Sequence, residues 1–143
     1  MDFLKSQLLD RLKLTAFVNL FSLLKMPLLA FLTPEFVEFN DQRCVVKVRL
    51  GYRSRNHLNV MYFGALAMGA ELSIAGIAVD AIQKSGERID FIFKDFEAQF
   101  LKRADAHVLF TCEQVAEVNA LIALARETLE RHTQTFSGVA RVI

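Results

Sequence analysis

A single carboxylate inside an apolar run constrains this chain more than any other feature. From Asn56 to Val79 the stretch NHLNVMYFGALAMGAELSIAGIAV carries one acid, Glu71, over roughly six helical turns. Its apolar residues Met61, Leu66, Met68, Leu72, Ile74, Ile77 and Val79 point all round a helix axis, which is the pattern of a helix enclosed by other structure. Gly64, Gly69 and Gly76 each cost about 1 kcal/mol relative to Ala in a helix interior, so they suggest close approach of neighbouring backbone. A carboxylate in such surroundings is costly unless it is paired or protonated. The run from Val60 to Val79 is also long enough to cross a bilayer. The lone Glu, the glycines and the missing flanking anchors favour instead a buried helix with a site on it.

A chain of 143 residues suits one domain and can bury a core without a disulfide or metal staple. With 17 basic and 16 acidic residues, a net charge of +1 and no basic cluster, no phosphate-backbone footprint is evident and nucleic acid is excluded as an expected partner. Cys44 and Cys112 lie far apart, with no CxxC pair and no ligand spacing for a metal. They are expected to be reduced, buried thiols in a cytoplasmic protein that holds no metal or cofactor. A hydrophobic share of 53% and 13 Phe are high for a small monomer and suggest an oligomer whose interface hides apolar surface.

At the N-terminus, Asp2 is placed to cap a helix from Phe3, with Leu9, Leu12, Ala16, Leu20 and Leu23 at helical spacing beside Phe17, Phe21 and Leu24. Pro27 ends or kinks it. Lys25 interrupts the apolar run and no small-residue cleavage site follows, so a secretory signal is not expected. Lys5, Arg11 and Lys13 leave two readings open: a peripheral membrane helix, or an amphipathic arm packed on its own domain. After Thr33-Pro34, Phe36 to Phe39, a turn at Asn40-Asp41 and the alternation of Cys44, Val46, Val48 and Leu50 predict a half-buried hairpin. Lys84-Ser85-Gly86 closes the central helix. Alternation from Arg88 to Leu101, with a change of phase near Lys94-Asp95, predicts a bulged strand. A strand over Ala106 to Cys112, an amphipathic helix over Glu113 to Arg126 and one long strand from about His132 complete the chain. Ser137-Gly138 leaves open a turn between two shorter strands. An antiparallel sheet around one central helix satisfies this order.

The residues Arg55-Asn56-His57, Met61-Tyr62-Phe63-Gly64-Ala65 and Glu71 resemble the hotdog-fold thioesterases. Within that superfamily the chain is most similar to a thioesterase-like branch with a YFGA-like segment, near the phenylacetate-pathway acyl-CoA thioesterases. Those enzymes carry an Asn, six positions later a His-Gly-Gly, and nine positions after that His an Asp or Glu; here Asn56, Tyr62-Phe63-Gly64 and Glu71 keep the spacing. The resemblance implies an α+β hotdog fold, with an antiparallel sheet wrapped around a long central helix over residues 34–143. Residues 1–33 form an N-terminal helical arm outside the common core. Tyr62 stands where the family has His, and Phe63 replaces the first Gly. Typical hotdog domains also end on a further strand, which one long terminal strand would not supply.

Thioester hydrolysis needs a base or nucleophile at the carbonyl carbon and donors where the oxyanion forms. A helix start supplies the donors, since its first amides lack partners and sit at the positive end of the macrodipole. Phe63 and Gly64 are therefore candidate oxyanion donors, Glu71 the candidate base or nucleophile, Asn56 a further catalytic candidate, and Tyr62 and Met68 candidate substrate contacts. For each there is a plainer alternative: Glu71 as a bonded structural carboxylate, Asn56 as a turn residue, Tyr62 as a packed aromatic. Phe63 and Glu71 are separated by roughly 12 Å along a helix, too far to share one carbonyl. A composite site in a homodimer, paired again into a tetramer, would bring them together. The expected substrate is an acyl-CoA or another acyl thioester. The alternative function is a non-catalytic acyl-chain or lipid-binding protein on the same fold.

Overall fold

The computed structural model describes residues 2–143. Eight elements follow in chain order: α1 (Asp2–Lys25), α2 (Pro27–Leu32), β1 (Glu35–Phe39), β2 (Cys44–Val48), α3 (Phe63–Ser85), β3 (Val108–Cys112), α4 (Val115–Thr128) and β4 (Val139–Val142). The strands form one antiparallel sheet in the order β1-β2-β3-β4. Pro27 opens α2, where its missing N–H costs nothing, and Met26 is the N-cap that separates it from the end of α1 at Lys25. The hairpin β1–β2 is tied by Asn40, whose Oδ1 accepts from the N–H groups of Gln42 and Arg43. Beside the turn, Arg43 Nε donates to Glu38 Oε1 at 2.8 Å, and that bond holds the Glu38 carboxyl below the usual range.

Alternate residues of β2 and β3 make the floor of the core. Cys44, Val46, Val48, Val108, Phe110 and Cys112 are all buried, and the register pairs Cys44 with Cys112, Val46 with Phe110 and Val48 with Val108. Burying each such aliphatic or aromatic side chain is worth about 1.5–3 kcal/mol. Helix α3 crosses this floor and packs on β2, β3 and α4. Two of its glycines are explained by aromatic rings rather than by backbone, contrary to the sequence expectation: a Cβ at Gly69 would stand 2.3 Å from the Phe110 ring, and one at Gly76 would stand 2.5 Å from the Phe36 ring. Gly86 ends α3 in the left-handed conformation at φ 68° and donates its N–H to Gln83 O.

Three sequence expectations are corrected. The helix begins at Phe63 rather than near Asn56, because Asn56 closes a turn and Asn59 adopts φ 59°, which a helix cannot absorb. The stretch from Arg88 to Leu101 is not a strand: within the single chain it makes no ladder, and its Phe91, Ile92, Phe93, Phe96 and Phe100 are exposed. The last strand is confined to Val139–Val142. Its pairing runs from Val108–Val142 to Thr111–Val139, so the ladder stops one residue short of the end of β3 at Cys112 and residues before Val139 stay outside it. The sheet also covers only one side of α3. That helix is long and apolar enough to cross a membrane, yet 44% of its most apolar window is buried within the chain, as a core helix lying on the sheet.

Candidate functional site

The start of α3 is held by backbone. Tyr62 N–H donates to Ser54 O at 2.7 Å and Met61 N–H to Ala104 O at 2.8 Å, while Arg55 and Met61 form an isolated antiparallel bridge. Ser54, 2% exposed, fixes this loop by donating its hydroxyl to Arg49 O at 2.6 Å and accepting from Gly51 N–H. Nothing in the sequence marks Ser54 as the anchor, since its partners are all main-chain atoms. The same bonds draw Arg55 and the Lys102-Arg103 pair, which precedes Ala104, to one end of the helix.

Tyr62 is the N-cap of α3, in extended conformation, and makes no side-chain cap. The amides that follow it in the first turn, at Phe63 and Gly64, are thus not satisfied by a capping side chain. The Tyr62 ring lies over Gly64, where a Cβ would come within 2.6 Å of Tyr62 Cε1. Phe63, 58% exposed, meets Tyr62 edge-on at 6.4 Å and Phe100 at 5.6 Å between ring centroids. Phe100 was not singled out from sequence; the alternation of the Arg88–Leu101 stretch was the only signal that it faces a partner.

Glu71 follows Phe63 and Ala67 at i+8 and i+4 along the side of α3 that the sheet leaves open. Its carboxyl reaches solvent, but partial desolvation by the surrounding protein raises its pKa above the ordinary Glu value. Met68 is half-buried against the core. Asn56 lies in the loop, where its Oδ1 accepts from the N–H groups of Leu58 at 2.8 Å and Val60 at 3.3 Å, the bonding of a turn residue. Tyr62, Phe63 and Gly64 thus come together with Phe100. Glu71 stays two turns away on the same helix.

Residues 15–136 match the family model described as Domain of unknown function (DUF4442). The chain belongs to this family. No curated protein matches it. Among solved structures it is similar to a Shewanella oneidensis protein named "putative thioesterase", with a TM-score of 0.63 and 16% identity over 71% of this chain and 70% of that one. It is also similar to a Chlorobaculum tepidum TLS protein of unknown function, OLEI01261, with a TM-score of 0.69 and 11% identity over 82% and 73% of the two chains. At such identities the likeness concerns the fold: a four-strand antiparallel sheet with a long helix, the hotdog arrangement. Among the described residues of this DUF4442 protein, no group of three or more His, Cys, Asp or Glu is gathered as a metal site. His107 is engaged structurally, its Nδ1 accepting from Leu50 N–H at 3.0 Å.

Proposed function

We propose that this protein is an acyl-thioester hydrolase of the hotdog type, acting on acyl-CoA or an acyl carrier from the thioesterase-like branch near the phenylacetate-pathway enzymes. The observation that carries the reading is the uncapped start of α3 at Tyr62–Gly64 with a partly desolvated Glu71 two turns further on. The thioester oxygen is held by the Phe63 or Gly64 N–H, where charge develops in the tetrahedral intermediate. Glu71 takes a proton from water as the water oxygen bonds to the carbonyl carbon. Collapse of the intermediate breaks the carbon–sulfur bond, the departing thiolate takes the proton back from Glu71, and the carboxylic acid so formed gives up its own proton to solvent. Because the amide and Glu71 of one helix lie roughly 12 Å apart, the two halves come from different copies. The open side of α3 and the unpaired, Phe-rich Arg88–Leu101 segment supply apolar surface for such a cytoplasmic dimer or tetramer, built from hotdog domains of residues 34–143 with residues 1–33 as an arm. Arg55, Lys102 and Arg103 lie at the same end as the oxyanion donors, a setting suited to coenzyme A phosphates.

A purified chain should release free thiol from a panel of acyl-CoAs, and Glu71→Gln should abolish that release. Turnover unaffected by the substitution defeats the assignment. The cluster of exposed rings at Tyr62, Phe63 and Phe100 favours one second reading, acyl-chain binding without hydrolysis. A fatty acyl ligand retained in native mass spectrometry, with no hydrolysis across the panel, distinguishes it.

A further inference from the structure

We infer that α1 and α2 form an in-plane docking face for an anionic phospholipid surface. The inference stands on the arm alone and does not depend on the reaction at α3. An arm packed on its own domain should turn its apolar side inward, and α1 does the reverse over most of its length. Its inward stripe is largely polar: beside the buried Leu14, Val18 and Ser22 lie half-buried Gln7, Arg11, Thr15 and Asn19. Two of these lock the helix to the sheet. Thr15 Oγ1 accepts from Phe36 N–H at 3.1 Å, and Asn19 Nδ2 donates to Pro34 O at 3.2 Å.

The outward side is apolar. Leu9, Leu12, Leu20 and Leu23 are 53–62% exposed, and the surface continues onto α2 with Leu28 at 71% and Phe31 at 51%. Together these side chains present a contiguous run of apolar surface on the outward side of α1 and α2, the kind of patch that marks an interaction site. Charge selects the occupant. Lys5, Lys13 and Lys25 are exposed along α1, and Arg53 stacks over the Phe31 ring at 5.3 Å. Between Phe3 and Lys25 only Asp10 opposes them. Pairing with a second copy would bury Lys5 and Lys13 beside Leu9 and Leu12 with too few carboxylates opposite, which desolvation penalises. At a bilayer the same ammonium groups reach up to phosphate headgroups while the leucines sink about 5–10 Å into the acyl boundary. The surface is also wider than a two-helix seam, which uses a narrow stripe.

The test uses the full chain in vesicle co-sedimentation. The protein should pellet with vesicles of phosphatidylcholine and phosphatidylglycerol, less with phosphatidylcholine alone, and less as salt is raised. Leu20→Glu with Leu23→Glu should weaken binding about tenfold or more, and Lys5→Glu with Lys13→Glu should erase the preference for phosphatidylglycerol. All four positions are exposed, so an unchanged circular dichroism spectrum and melting temperature check that the variants fold. A chain that stays in the supernatant with phosphatidylglycerol vesicles at low salt overturns the inference. So does an unchanged pelleted fraction in the leucine variant, and a drop in oligomeric mass in that case would give the face to a second copy.

Discussion

Replacing Gly69 by Ala sets packing against helix propensity, and the two predict opposite signs. Propensity alone makes the substitution stabilising by about 1 kcal/mol in a helix interior. A Cβ at Gly69, however, would lie 2.3, 2.5 and 2.6 Å from Cε2, Cδ2 and Cζ of Phe110, roughly 1 Å or more inside the optimal carbon–carbon separation. Phe110 is 2% exposed and has nowhere to turn, so the ring must leave its rotamer or α3 must lift from the sheet. Overpacking of this kind costs about 1–3 kcal/mol, and three overlapping ring atoms place Gly69 at the upper end. The expected net loss is about 1–2 kcal/mol, a fall in Tm of roughly 3–8 °C for a domain of this size. Gly64→Ala is the internal control. Its Cβ would also stand 2.6 Å from a ring atom, Tyr62 Cε1, but Tyr62 is 55% exposed and swings into solvent, so the variant should be neutral to about 1 kcal/mol more stable. Urea unfolding followed by circular dichroism measures both, at one fixed protein concentration because association shifts apparent stability. In a double-mutant cycle, Phe110→Leu should recover at least about 1 kcal/mol of the Gly69→Ala loss. A Gly69→Ala protein more stable than its parent, or no coupling to Phe110, refutes the ring contact as the reason for the glycine.

Three further outcomes follow from the electrostatics and from the open edge. Glu71 has a raised pKa in the fold, so its ionisation opposes folding: stability is lost as pH climbs from the unfolded Glu value of about 4.3 through the folded one. Glu71→Gln should therefore raise the Tm at neutral pH by an amount that shrinks toward zero in acid, and a gap that widens in acid would contradict this sign. Cys44 and Cys112 are buried free thiols whose pKa values are pushed up by desolvation; a thiol reagent should leave both unlabelled in the native protein and label both after unfolding, and fast native labelling of either would count against the packing of the β2–β3 pair. Hydrogen exchange should find the amides of Arg88–Leu101 protected at high protein concentration and unprotected on dilution, whereas fast exchange at every concentration in an associated protein would exclude this segment from the interface.

Much of the fold was legible because its signals are local. Alternation in Cys44–Leu50 reported the strand β2, although Val45 on its second face is buried as well; Pro27 and Gly86 marked real helix ends, and apolar spacing found α1, α3 and α4. What failed was less local. Asn56 and Asn59 were turn formers in plain sight, but the apolar Leu58, Val60 and Met61 between and after them extended the helical pattern across a loop whose turn bonds decide otherwise. The length of β4 was illegible from its own residues, because the alternation of Phe136, Gly138, Ala140 and Val142 runs on across its start, whereas the ladder with β3 takes in residues 139–142 alone. The glycines of α3 signalled close approach, but whether a ring or a backbone approached depended on Phe110 and Phe36, each distant from its glycine in sequence.

The site was legible only by halves, for a related reason. Periodicity tells which sides of an element are covered, and it reported α3 as covered all round. The sheet accounts for one side only, and the side bearing Phe63, Ala67 and Glu71 is left open, the side that the proposed second copy would cover. The Arg88–Leu101 stretch repeats the argument in strand form. It has the alternation of a paired strand, and exposed apolar side chains on an unpaired extended segment are an aggregation hazard unless something binds there. Phe100 connects the two observations, since it is part of that segment and touches Phe63 at the helix start. A partner strand that seats Arg88–Leu101 would therefore also fix the aromatic wall beside the Phe63 and Gly64 amides. In the proposed dimer, association and the shape of the candidate oxyanion site then become one event, so a variant that weakens the pairing should impair the site even when every residue of that site is intact.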